Sequence, residues 1–186
     1  MTTSRKQAEM QVKRWLHEVV IGLNLCPFAA KPNRDQSIDF VVSEAKDEDV
    51  LLQDLQQQLQ HLQDTPVEEL ETTLVIVPDF LQDFDDYNQF LSWVDQLLSR
   101  GGWNGVIQVA SFHPDYCFAD TDPNDAENLT NRAPYPIFHL IREDSLESVL
   151  QRFPDSDKIP EANIERMNQL SAEEKLALFP YLFSQD

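Results

Sequence analysis

The chain is short of glycine, cysteine and basic residues, and each shortage closes off a class of function. Only four glycines occur in 186 residues, and they form no Gly-rich phosphate loop. Such loops need glycine for close approach of the backbone to the phosphates, so a nucleotide site of that kind is excluded. There is no GxSxG elbow and no HExxH helix. Two cysteines cannot make a disulfide framework, and both are expected as reduced thiols in a cytoplasmic protein. The first fifteen residues, MTTSRKQAEMQVKRW, read as the start of a helix rather than as a secretory signal. No stretch has the ~18 uninterrupted apolar residues of a membrane span. Fourteen Lys and Arg face 33 Asp and Glu, for a formal charge of −19. Residues 47–99 carry thirteen acids and no Lys or Arg. Such a surface repels phosphate backbones and anionic membranes, so neither nucleic acid nor membrane is an expected partner. It suits a basic partner or a cation, although acidic faces also simply keep a protein soluble.

What is present suits one globular domain. Apolar residues make up 41% of the chain, with eleven Phe and three Trp, enough to bury a substantial core. Val12, Trp15, Leu16, Val19, Val20 and Leu23 form one stripe at i, i+3, i+4 spacing, which predicts a helix over residues 4–23. Strand patterns at residues 37–43, 72–77, 105–110 and 135–142 alternate with helical patterns at 47–62 and 84–99. Further helices are expected from residue 144 or 145 to about Phe153, over 160–170 and over 172–178. Strands joined by helices of this length argue for βαβ crossovers. The expected fold class is therefore α/β: a single-domain layered sandwich with a mixed, mainly parallel sheet of about four strands flanked by helices. The fourth strand has no helix before it and is expected antiparallel. Residues 1–186 read as one domain, with an acidic helical extension from about residue 151.

Residues 111–142 concentrate chemistry. They hold two of the four histidines, one of the two cysteines, two tyrosines, five acids and two arginines. A loop this long inside a compact domain is uncommon and usually functional or disordered, and Phe112, Tyr116, Phe118, Tyr135 and Phe138 supply anchors that disordered segments lack. His113 and Tyr116 follow the third strand, where ligands bind in open α/β sheets. His113 is an acid–base or ligand candidate, or else a His-Pro turn whose imidazole satisfies nearby backbone. His139, on the face of the fourth strand shared by Ile137 and Ile141, is a partner for it or a satisfied core histidine. Cys26 precedes Pro27, a residue favoured at the first position of a helix. A thiol there is either activated or merely space-filling. Asn128, Asn131 and Arg132 are candidate substrate-binding residues. Arg132 offers a planar donor fork to an anion, or an ion pair to Asp120 or Asp125. Cys26, His113 and His139, with Cys117 as a fourth, have the ligand chemistry of a tetrahedral transition-metal site such as zinc. DTDPND (residues 120–125) begins like a calcium loop, but Asp125 and Asn131 stand where that loop needs Gly and Glu.

GLNLCPFA (residues 22–29), FHPDY (112–116) and NLTNRAPYPIFHLIRE (128–143) together resemble an uncharacterised bacterial family whose domain has no assigned function. The resemblance runs from the first helix to about Leu150, at Cys26, His113, Tyr116, Asn131, Arg132 and His139. It implies no particular reaction. The family pattern more often has glutamine at position 117, so it implies no general role for Cys117.

The preferred reading is a small cytosolic enzyme, or enzyme-like domain, holding a small anionic ligand or a metal. In it Cys26, His113, Tyr116 and His139 are the catalytic candidates, and Asn128, Asn131 and Arg132 bind substrate. The alternative is a non-catalytic acidic module that captures a basic protein partner.

Overall fold

The computed structural model describes residues 5–152 and 156–183. The expected helix start at Ser4 and helix end at Phe153 lie outside the described residues. The first helix, α1 (Arg5–Trp15), runs directly into a π-helical turn over Leu16–Ile21. There the amide of Gly22 bonds to the carbonyl of His17 at 3.0 Å, and that of Leu25 bonds to Val20 at 2.9 Å. Glycine is required at this point, because a Cβ on Gly22 would sit 2.2 Å from the Glu18 carbonyl oxygen. A short helix, α2 (Ala30–Asp35), occupies the Pro32-Asn33 segment that reads as a turn in sequence. Proline is tolerated within a first helical turn, where its missing N–H has no intrahelical partner.

Strand β1 (Ile38–Val42) leads to α3 (Glu48–Asp64), β2 (Thr72–Ile76), α4 (Phe84–Gly101) and β3 (Ile107–Phe112). Both long helices start on an aspartate. Asp47 accepts from the Val50 amide at 2.9 Å, and Asp83 from those of Asp85 and Asp86, satisfying N–H groups that the helix leaves unpaired. The segment after β3 passes through a 3₁₀ turn (Ala126–Asn131) to β4 (Ile137–Arg142), then α5 (Glu143–Leu150), α6 (Ile159–Gln169) and α7 (Ala172–Leu178).

The four strands form one mixed sheet flanked by helices, in the order β1-β2-β4-β3. The β1–β2 pair is parallel, and β4 is antiparallel to both β2 and β3. The three strands joined by crossover helices therefore run the same way, as their connections imply, and β4 runs against them. However, β4 inserts between β2 and β3 instead of adding at an edge. It replaces one parallel pair with two antiparallel ones, so parallel pairing has a smaller share than the sequence suggests.

Helices cover both faces of the sheet. On one face, Leu51, Leu55, Leu59 and Leu62 of α3 and Tyr87, Phe90 and Val94 of α4 pack on Val75, Phe138 and Leu140. On the other, Val12, Leu16 and Val19 pack on Leu74, Ile76 and Ile137. Met167 of α6 and Phe179, just after α7, are wholly buried in this second core. The C-terminal helices are thus part of the fold's second layer. Strand β2 is buried along its whole length, as a strand covered on both faces must be. Among the described residues no helix is long and apolar enough to cross a membrane.

Candidate functional site

The sheet separates the two histidines of the 111–142 segment. Phe112 and His113 are successive and point to opposite faces. The Phe112 ring meets Trp15 on the α1 side at 5.1 Å, whereas the His113 ring meets Phe84 and Tyr87 on the α4 side at 5.4 and 5.2 Å. His139 lies on the Phe112 side, 6.4 Å from that ring.

Each imidazole is also engaged. His113 is fully buried; its Nδ1 accepts from the Asp115 amide at 3.0 Å and its Nε2 lies 3.1 Å from the Leu81 carbonyl. A neutral ring with the hydrogen on Nε2 satisfies both bonds, and burial lowers its pKa below the usual histidine value. Nε2 of His139 lies 2.7 Å from the Thr72 hydroxyl, which in turn donates to the Leu140 carbonyl at 2.6 Å. His139 therefore donates to Thr72, and burial holds its pKa down at about 4.

The remaining polar candidates frame the loop between β3 and β4. The Asn128 side chain is buried; its Oδ1 accepts from the Phe118 amide at 2.9 Å and lies 3.0 Å from the Thr121 hydroxyl, and its amide donates to the Asp122 carbonyl at 2.8 Å. Asn131 donates to the Ser111 carbonyl at 3.1 Å. The Arg132 guanidinium, offered by the sequence to an anion, donates to the carbonyls of Tyr116 at 3.0 Å and Pro123 at 2.7 Å. The Tyr116 ring packs at a tilt against Phe84 and edge-on against Phe118. Arg142 is similarly occupied, donating to the carbonyls of Leu62, Thr65 and Leu70 where α3 ends. Tyr87, which in sequence reads only as part of the apolar stripe of the 84–99 helix, clamps the strand ends: its buried hydroxyl donates to the Ile137 carbonyl at 2.8 Å and accepts from the Phe112 amide at 3.2 Å.

Cys26 stands apart from His113. Pro27 lies in a turn ahead of α2 and not at the first position of a helix; the backbone around Phe28 and Ala29 still favours the Cys26 thiolate, but burial outweighs this and raises the thiol above its ordinary pKa. Among the described residues no three His, Cys, Asp or Glu side chains are grouped to hold a metal. Cys26, His113 and His139 do not converge.

Cys26 instead opens into a cavity of about 510 Å³ on the α1 side, beyond the carboxyl end of β3. Val20, Leu25, Phe112, Phe118, Ile159 and Ile164 form its apolar walls. Glu127, Thr130, Asn131 and Asn163 contribute polar atoms. Cys26 and Asn131 are thus the two candidates that the fold brings to one concave site. The π-helical turn helps to build it, since the extra residue in that turn sets where Val20, Leu25 and Cys26 emerge. Such turns are frequent at functional sites. The wall supplied by α6 escapes sequence reading; only the amphipathic pattern of residues 160–170 hints that this helix covers something.

The family described as Protein of unknown function (DUF1415) matches residues 7–177. The chain belongs to this family. The DUF1415 match runs past Leu150 and takes in α6 and α7, the elements that complete the second core and the cavity. No curated protein and no solved structure matches the chain, so DUF1415 membership is what the comparisons contribute, and the site's chemistry must be read from its geometry.

Proposed function

We propose that this protein is a small cytosolic ligand-binding domain of enzyme-like build, whose site is the cavity beside Cys26. The observation that carries the reading is the cavity itself. Its volume lies within the ~300–1,000 Å³ of small-molecule pockets, and a mainly apolar lining with a few polar groups is the usual composition of such sites. Its place beyond the end of β3 is where α/β sheets hold ligands. Two free cysteines suit a reducing compartment. In this reading His113, Asn128 and Arg132 hold the loop that walls the site, while Cys26 and Asn131 line it.

The test uses Cys26 as a reporter. Compounds that raise the melting temperature should also slow alkylation of Cys26 by N-ethylmaleimide and leave Cys117 labelling unchanged. Filling the cavity with Ala119→Trp should abolish both effects. If every stabilising compound leaves Cys26 labelling untouched, the cavity is not the site.

A second reading keeps one specific observation. Trp93 is 51% exposed and borders a groove with Phe80, Glu48, Asp79, Asp83 and Asp86. A basic peptide with an apolar side chain would complement that groove, and salt-sensitive capture lost in Trp93→Ala would favour an interaction module.

A further inference from the structure

We infer that the ligand of this cavity is an amphiphile whose apolar body carries a hydrogen-bond-donating cationic head, an amine or ammonium group rather than an anion. The inference rests on the reading of the cavity as the binding site. It comes from counting the donors and acceptors of the lining.

The lining residues have already committed hydrogen-bond donors to the protein. The Thr121 hydroxyl donates to the Phe118 carbonyl at 2.9 Å and lies 3.0 Å from Asn128 Oδ1. That of Thr130 donates to the Glu127 carbonyl at 2.8 Å. The Asn131 amide donates to Ser111 at 3.1 Å and the Asn163 amide to Leu25 at 2.8 Å. A hydroxyl has a single hydrogen to give, so both threonines are exhausted as donors, while each asparagine keeps one neutral N–H.

Acceptors are left over. Neither the Glu127 carboxylate nor Asn163 Oδ1 receives a hydrogen bond from a described residue. Among the described residues no Lys, Arg or His lines the cavity, and the guanidinium in the neighbouring loop, Arg132, is held by two carbonyls. An anion entering here would meet a carboxylate with no compensating charge. An ammonium would meet the Glu127 carboxylate in a lining that also holds the aromatic rings of Phe112 and Phe118, and such rings attract cations at their faces. The excess of acids over the whole chain also favours approach of a cation. The apolar walls on α6 and at Val20 and Leu25 select the rest of the molecule. At roughly 30 Å³ per heavy atom, the cavity takes on the order of fifteen such atoms.

Three probes of matched shape test this on the full chain: 4-phenylbutylamine, 4-phenylbutanol and 4-phenylbutyrate, titrated calorimetrically in moderate salt at neutral pH. The amine should bind about tenfold more tightly than the alcohol, the increment expected of a charge-assisted hydrogen bond, and the carboxylate should bind most weakly. Glu127→Gln should bring the amine to within about threefold of the alcohol. Carboxylate binding equal to the amine's, or an amine advantage that survives Glu127→Gln, overturns the inference and leaves the cavity reading standing. If none of the three binds, or if Ala119→Trp fails to weaken the alcohol, the cavity reading itself falls and the ligand class with it.

Discussion

His113→Ala separates a structural from a chemical role for the histidine that the sequence makes most prominent. Truncation removes a fully buried ring packed on Phe84 and Tyr87. It also leaves the Leu81 carbonyl and the Asp115 amide without their partner. Deleting a buried side chain of this size costs about 2–4 kcal/mol, and stranding backbone groups adds about 1–2 kcal/mol. A loss near 4 kcal/mol is the expected sum. In a domain of this size that corresponds to a fall of roughly 8–16 °C in melting temperature. Two conservative variants divide the loss. His113→Asn retains an acceptor for the Asp115 amide, and His113→Gln retains a donor for the Leu81 carbonyl, so each should recover part of the stability. The assay is thermal and urea unfolding near pH 7.5, with probe binding measured well below the melting point. An Ala variant that melts within about 3 °C of the parent would refute the structural assignment. Loss of binding in that stable variant would return His113 to the site.

The His139 environment predicts acid sensitivity, because burial holds its folded pKa at about 4 against about 6.5 in the unfolded chain. A histidine kept neutral by the fold contributes its full stability above pH 6.5 and loses it as the pH falls toward 4. At about 1.4 kcal/mol per pH unit the window is worth on the order of 3 kcal/mol. His139→Gln, which can still donate to Thr72, should flatten the unfolding free energy between pH 6.5 and 4 relative to the parent; parallel curves would show that His139 is not the group responsible. Gly22→Ala places a methyl group 2.2 Å from the Glu18 carbonyl with φ at an ordinary −60°, so its cost is steric. A loss of about 2 kcal/mol or more in urea unfolding is expected, with weaker probe binding as the π-helical turn relaxes, and a change under ~0.5 kcal/mol would show that the turn tolerates a Cβ.

The parts of the fold legible in sequence are those set by local periodicity. The leucines of α3 and the apolar stripe of α4 repeat at helical spacing over about three turns, and Asp47 and Asp83 mark their starts. The strand directions follow from the crossovers. Which strand lies beside which does not, because β4 satisfies the same alternation whether it lies at an edge or between β2 and β3. The π-helical turn is hidden for a related reason: one extra residue leaves the apolar stripe from Val12 to Leu23 intact, and only Gly22 hints at the crowding.

The site divides along a different line. The residues 111–142 stand out because they are rich in side chains that form strong directional hydrogen bonds, and that part of the reading transfers to the structure. Their task does not, since a peptide carbonyl and a ligand oxygen ask the same of a donor. Arg132, Asn131 and Asn128 would look identical in sequence whether they gripped a substrate or the loop's own backbone. A loop from β3 to β4 with little regular structure must satisfy its backbone groups with side chains, so a dense polar motif is what such a loop requires even when it binds nothing. The ligand-facing surface is then found where hydrogen-bonding capacity remains unused. In the proposed reading that surface is the cavity beside Cys26, walled by Phe112 from β3 and by Ile159 and Ile164 from a helix far along the chain, a meeting that only the completed second core brings about.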